Sequence, residues 1–72
     1  MFMSTLRSKF GERLKDIRQA RGFTQEELAE SLNMSVEFVS LLERGVNGPS
    51  FDTLEKLAAI LQVEVKELFD FE

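Results

Sequence analysis

The chain of 72 residues has no cysteine, histidine, tryptophan or tyrosine. Without cysteine there is no disulfide and no thiolate metal site. Without histidine as well, only carboxylates remain as metal ligands, and no imidazole base is available. Neither a metal nor a cofactor is expected, and no nucleophile–base pair suggests an enzyme. No apolar run approaches the roughly 20 residues that span a membrane. The start, Met1-Phe-Met-Ser-Thr-Leu-Arg-Ser-Lys9, lacks the continuous apolar stretch of a signal peptide. A soluble, cytoplasmic protein is the expectation. Met3 offers an alternative start that would make Met1 and Phe2 dispensable.

What is present is compact and unevenly charged. The length suits one domain over residues 1–72, whose small core must be efficient or gain stability from a partner. The formal net charge of −4 argues against nucleic acid as a partner. Its distribution softens the objection. Residues 1–24 carry six basic side chains against Glu12 and Asp16, a net of +4. Residues 25–72 carry three basic and eleven acidic side chains, a net of −8. A basic N-terminal segment on an acidic body attracts phosphate locally, with strong salt sensitivity.

The pattern is helical throughout, and no stretch alternates long enough to read as a strand. Helix 1 is predicted from about Thr5 or Ser8 to Arg21, with Leu6, Phe10, Leu14 and Ile17 on one apolar stripe. Gly22 suits the left-handed residue that ends it. Helix 2 begins with Thr24-Gln-Glu-Glu27, a capping-box pattern, and buries Leu28, Ala29 and Leu32. It ends near Ser31, with Asn33 in the turn. Ser35 caps helix 3, which runs to about Arg44 with Val39 and Leu42 inside and Phe38 at least partly buried. Gly45 stops it. Helix 4 runs from a Ser50 cap to Leu61 and is predicted to bury Phe51, Leu54, Leu57, Ala58 and Leu61. Helix 5 covers about Glu64 to Phe69, with Val65, Leu68 and Phe69 apolar. The expected class is all-α, a compact five-helix domain.

Residues 24–44 hold two short helices joined by a tight turn, with the small Ala29 where the second must cross the first. Gly11-Glu-Arg-Leu14, Arg18, Arg21-Gly22, Thr24-Gln25, Leu28-Ala29, Ser40, Glu43-Arg44-Gly45, Asn47-Gly48-Pro49-Ser50, Leu54, Leu57-Ala58, Val63 and Leu68 recur in a fixed order. In that order they resemble the Cro/C1-type helix-turn-helix family, the lambda-repressor-like domains, over about Phe10 to Phe69. The resemblance implies a sequence-specific regulator of transcription that binds double-stranded DNA, commonly as a repressor and a homodimer. By the same resemblance Gln25 holds a phosphate with its side chain and backbone N–H. Ser35, Val36, Glu37 and Leu41 fall where relatives read bases. Arg44, Val46 and Asn47 fall in the loop that touches the opposite phosphate run. Arg18 and Glu43 match a partly buried ion pair, and Val65, Phe69 and Phe71 are candidates for the dimer contact.

The reading positions depart from the family's habit, which favours Arg, Gln or Thr. Val36 and Leu41 offer only apolar contact with a thymine methyl, and Glu37 only accepts from cytosine. Modest affinity, or reading through shape, follows. Two roles stay open for Glu37: a solvated helix charge or a base contact. Val36 and Leu41 are expected outside the core, where a protein partner is an alternative occupant. An antitoxin-like interaction module on the same fold is therefore the competing reading. Arg7, Lys9, Arg13 and Lys15 are individually more typical of solvated surface. Only their clustering points to phosphate.

Overall fold

The structure is a computed structural model that describes residues 5–71. The choice between Met1 and Met3 as the start lies outside the described residues. The elements are α1 (Leu6–Ala20), α2 (Gln25–Leu32), α3 (Val36–Glu43), α4 (Phe51–Leu61) and a short 3₁₀ helix, η1 (Val65–Phe69). The described residues contain no strand, and none of their helices is long and apolar enough to cross a membrane.

Local chemistry sets the helix starts. Thr5, Thr24, Ser35 and Ser50 each accept the N–H of the residue three further on. Each thereby satisfies one donor that the first turn leaves without an intrahelical partner. At Thr24 the box closes in both directions. The Glu27 N–H reaches Thr24 Oγ1 at 3.0 Å, and the Thr24 N–H reaches Glu27 Oε1 at 2.9 Å.

The four α-helices also end alike. Gly22, Asn33, Gly45 and Gln62 follow them with φ of 82°, 59°, 75° and 59°. The next residue in each case, Phe23, Met34, Val46 or Val63, returns its N–H to the carbonyl five residues back. This is the Schellman turn, with its customary apolar residue beyond the left-handed one. Gln62 was not anticipated there, because the turn usually selects Gly or Asn.

The fifth helix differs from expectation in type. In η1 the Glu67 and Asp70 N–H groups bond to carbonyls three residues back, at 2.9 and 3.4 Å. Five residues are too few to recover the cost of nucleating an α-helix, and the tighter 3₁₀ turn serves instead.

One cluster forms the core. α1 contributes Phe10, Leu14 and Ile17, α2 Leu28, Ala29 and Leu32, α3 Val39 and Leu42, and α4 Leu54, Leu57, Ala58 and Leu61, with Leu68 from η1. Two expected members are absent from it. Leu6 is 63% exposed and Phe51 is 86% exposed. Each opens its helix, and helical side chains lean back toward the N-terminus. At the first position there is no preceding turn to lean on, so the side chain projects past the end of the core. Thr53 is buried near the start of α4 instead, bonded through its backbone N–H and its Oγ1 to Ser50 Oγ.

α1 and α3 meet at Gly11, which is buried within α1. A Cβ there would lie 2.5 Å from the carbonyl oxygens of both Leu42 and Glu43. Only glycine permits this approach, which sets the last turn of α3 directly on the α1 backbone.

Candidate nucleic-acid interface

α3 has two distinct sides. Val39, Leu42 and Glu43 point inward and are buried, and Phe38 is half-buried. Val36, Glu37 and Arg44 are exposed on the other side, with Ser40 and Leu41 half-buried between them. Leu41 is thus less open than its offset from Val39 and Leu42 suggested. Ser35, exposed, both caps α3 and stands at the head of the outward row. Glu37 lies in the first turn of α3, where a negative charge suits the positive end of the helix dipole.

The turn between α2 and α3 closes through two backbone bonds. The Asn33 N–H bonds to the Glu30 carbonyl at 3.0 Å and the Met34 N–H to the Ala29 carbonyl at 2.9 Å. With Ala29 buried, α2 and α3 pack without a bulky side chain between them at that point. This fixes the direction of the outward row relative to the first turn of α2.

A buried polar junction registers three elements. Arg18 Nε donates to Glu43 Oε2 at 2.5 Å, and its Nη2 to Glu43 Oε1 at 3.1 Å. The remaining Arg18 terminal nitrogen donates to the Phe23 carbonyl at 2.7 Å. Arg18 is 6% and Glu43 8% exposed. The planar guanidinium fork suits this two-point grip on a carboxylate.

Gln25 joins the same junction. Its Nε2 donates to Glu43 Oε1 at 2.9 Å. A carboxylate only accepts, so the Gln25 amide is held with its nitrogen toward Glu43. The residue expected to meet phosphate is therefore also tied, half-buried, to the end of α3. Nothing in the sequence near Gln25 points to that partner. Its backbone N–H occupies the first position of α2, where no intrahelical acceptor exists.

The loop after α3 flanks the row at its other end. Arg44 is exposed, with Nε on Ser40 Oγ at 3.2 Å. Val46 is 51% exposed and Asn47 half-buried. Arg7, from the start of α1, donates through Nη1 to the Val46 carbonyl at 3.2 Å.

Most of the basic side chains of residues 1–24 have partners of their own within the fold. Arg13 Nε donates to the Glu67 carbonyl at 2.8 Å, and Arg21 Nη2 to the Gln62 carbonyl at 3.3 Å. The Lys9 ammonium stands 6.0 Å from the Phe71 ring centroid. Arg18 is inside. The arginines take the acceptors that their helix faces meet, and α1 faces both α3 and η1, while Lys15 is exposed.

The three residues expected at a dimer contact are divided. Val65 and Phe71 are exposed, at 38% and 40%. Phe69 is half-buried, with its ring 5.3 Å from that of Phe10 and 6.3 Å from that of Phe71. Among the described residues no group of three or more carboxylates is placed to hold a metal ion.

Two short helices joined by a tight turn, the second with an open outward row, seated on α1 and α4, define a helix-turn-helix domain. The chain belongs to the helix-turn-helix family, whose profile matches residues 14–68. Among its relatives is the HTH-type transcriptional regulator DdrOP3 of Deinococcus deserti. The two are 39% identical over 62 residues, which cover 86% of this chain and 48% of the relative. The HTH-type transcriptional regulator SinR of Bacillus subtilis is 38% identical over 83% of this chain and 55% of its own. The chain thus spans about half the length of these two regulators. In a crystal structure of SinR with DNA the protein chain superposes with a TM-score of 0.78 at 37% identity, covering 85% of this chain and 98% of that one. The restriction-modification controller protein C.AhdI of Aeromonas hydrophila superposes with a TM-score of 0.82 at 40% identity, covering 86% and 94%.

Proposed function

We propose that this chain is a cytoplasmic regulator of transcription that binds double-stranded DNA in a sequence-specific manner, without a catalytic step. The observation that carries the reading is the outward row of α3. Ser35, Val36, Glu37 and Leu41 occupy it, and donors stand beside the C-terminal end of the helix, Gln25 from the first turn of α2 and Arg44 and Asn47 from α3 and the loop after it. That layout suits insertion of α3 into the major groove, with those donors on phosphate oxygens along its edge. The related regulators named above support it. A second copy would join through Val65 and Phe71, with Phe69 alongside. Two copies would reach half-sites about one helical turn, ~34 Å, apart on a pseudo-palindromic operator. Repression by occlusion is the expected outcome.

The row has no cation before Arg44, so base reading rests on methyl contacts at Val36 and Leu41 and on a cytosine contact at Glu37. The test is a salt-dependent titration against DNA flanking the chain's own gene and against duplexes selected from a random pool. Wild type is expected to bind one sequence preferentially, and more weakly as salt rises. The Gln25→Ala/Ser35→Ala variant, verified as folded, is expected to lose most of that binding. Failure to enrich any duplex would overturn the reading.

One observation favours a second reading, a protein-interaction module on the same fold. Val46 and Phe51 are exposed apolar side chains in and just after the α3–α4 connection, and Val36 is exposed at the start of α3. A protein partner there would explain Phe51, which duplex binding leaves unaccounted for.

A further inference from the structure

Of the four arginines in residues 1–24, Arg7 is placed unlike the rest. Arg13 and Arg21 are engaged with η1 and the end of α4, Lys9 with Phe71, and Arg18 with Glu43. Arg7 instead lies on the loop that follows α3. We propose that Arg7 is a phosphate-binding residue of the DNA interface, acting from the middle of that loop together with Arg44 at its start. The proposal rests on the double-stranded DNA reading above.

Three observations support it. Arg7 is exposed, and its bond to the Val46 carbonyl uses one of five donors. Its stem already packs on the loop: a Cβ added to Gly48 would lie 3.4 Å from Arg7 Cδ and 3.5 Å from Cγ. Part of the rotamer entropy that a phosphate contact costs is therefore spent before binding. The loop itself is seated on α1, because a Cβ at Gly45 would lie 2.8 Å from Ser8 Cα. The start of α1, with Arg7, and the loop that carries Asn47 and follows Arg44 therefore form one packed ledge.

The charge balance gives the ledge its importance. Residues 25–72 carry a net of −8, and Glu37 opens the outward row of α3. Repulsion from this body has to be offset by cations at the point of contact, and Arg44 is the one cation within α2, α3 and the loop. An Arg7 guanidinium beside the loop doubles that positive charge in a form that matches two phosphate oxygens.

The experiment compares wild type, Arg7→Gln, Arg7→Lys and Lys15→Gln. The probe is one duplex enriched by the wild-type chain from a random-sequence pool, titrated across a range of salt. Lys15 is exposed on the same helix, eight residues and about 12 Å further along its axis. Arg7→Gln is expected to lower affinity about tenfold and to reduce the slope of log K against log salt by about 0.9, one phosphate's share. Arg7→Lys should keep the slope and recover part of the affinity. Lys15→Gln should keep the wild-type slope, and all three variants should unfold at the wild-type temperature. A wild-type slope in Arg7→Gln overturns the proposal while leaving the DNA reading intact. So does an equal loss of slope in Lys15→Gln, which would mark a general charge effect. If the wild-type chain enriches no duplex, the DNA reading fails and this proposal with it.

Discussion

The two sides of α1 are joined to the rest of the molecule by opposite means. Toward α3 the contact is bare backbone at Gly11 and a buried, bidentate ion pair from Arg18 to Glu43. Toward η1 it is a row of rings, Phe10, Phe69 and Phe71, with Arg13 on a backbone carbonyl. Apolar contact is non-directional and tolerates small shifts, whereas a two-point charged bond and a glycine contact admit one register. The directional contacts sit on the element that must be aimed. α3 presents its outward row from a fixed angle because its last turn is pinned, while η1 needs only to cover the core.

The largest test of this contrast is Arg18→Ala. It leaves the Glu43 carboxylate buried with only Gln25 as a partner, and a loss of about 3–5 kcal/mol is expected in urea unfolding. An Arg18→Met/Glu43→Leu pair replaces both charges with apolar volume and should recover stability to near wild type. It should still bind DNA more weakly, because Gln25 loses the acceptor that orients it. A wild-type urea midpoint for Arg18→Ala would break the comparison.

Gly11→Ala should have the next largest effect. Alanine adds about 1 kcal/mol of helix propensity. The added methyl meets two backbone carbonyls that have no rotamer to yield, and overpacking of this kind costs up to about 3 kcal/mol. The net expectation is a loss of about 2 kcal/mol in thermal or urea unfolding. A gain in stability would mean that α3 slides easily on α1.

The smallest effect belongs to the ring side. Phe69→Leu keeps apolar cover but removes the ring pairs, and about 1 kcal/mol is expected. A loss that grows on dilution would mark Phe69 as part of the proposed contact between copies, and a loss independent of protein concentration would assign it to the ring pairs with Phe10 and Phe71.

Much of this molecule was legible because its signals are short-range. The caps at Thr24, Ser35 and Ser50 bond within three residues, as does Thr5, one of the two starts left open for helix 1, and the left-handed turns at Gly22, Asn33 and Gly45 close within six. Apolar spacing gave most of the core, since a helical stripe depends only on local geometry. The outward row of α3 was legible by subtraction, as what remained once Val39 and Leu42 were assigned inside. The pairing of Arg18 with Glu43 came only through family resemblance, not from the residues themselves.

What the chain determined alone, then, was where helices begin and end and which face of each is apolar. The tertiary structure decided which partner each long polar side chain takes. Arg18 and Glu43 are 25 residues apart, Arg7 and Val46 39, and Arg13 and the Glu67 carbonyl 54. It also decided the fate of the apolar residues at helix starts, exposing Leu6 and Phe51, and turned the fifth helix into a 3₁₀ turn. A cap is satisfied by neighbours in sequence, so composition suffices to predict it. The acceptor that an arginine meets depends on which elements pack beside its helix, and that is settled only when the whole core closes.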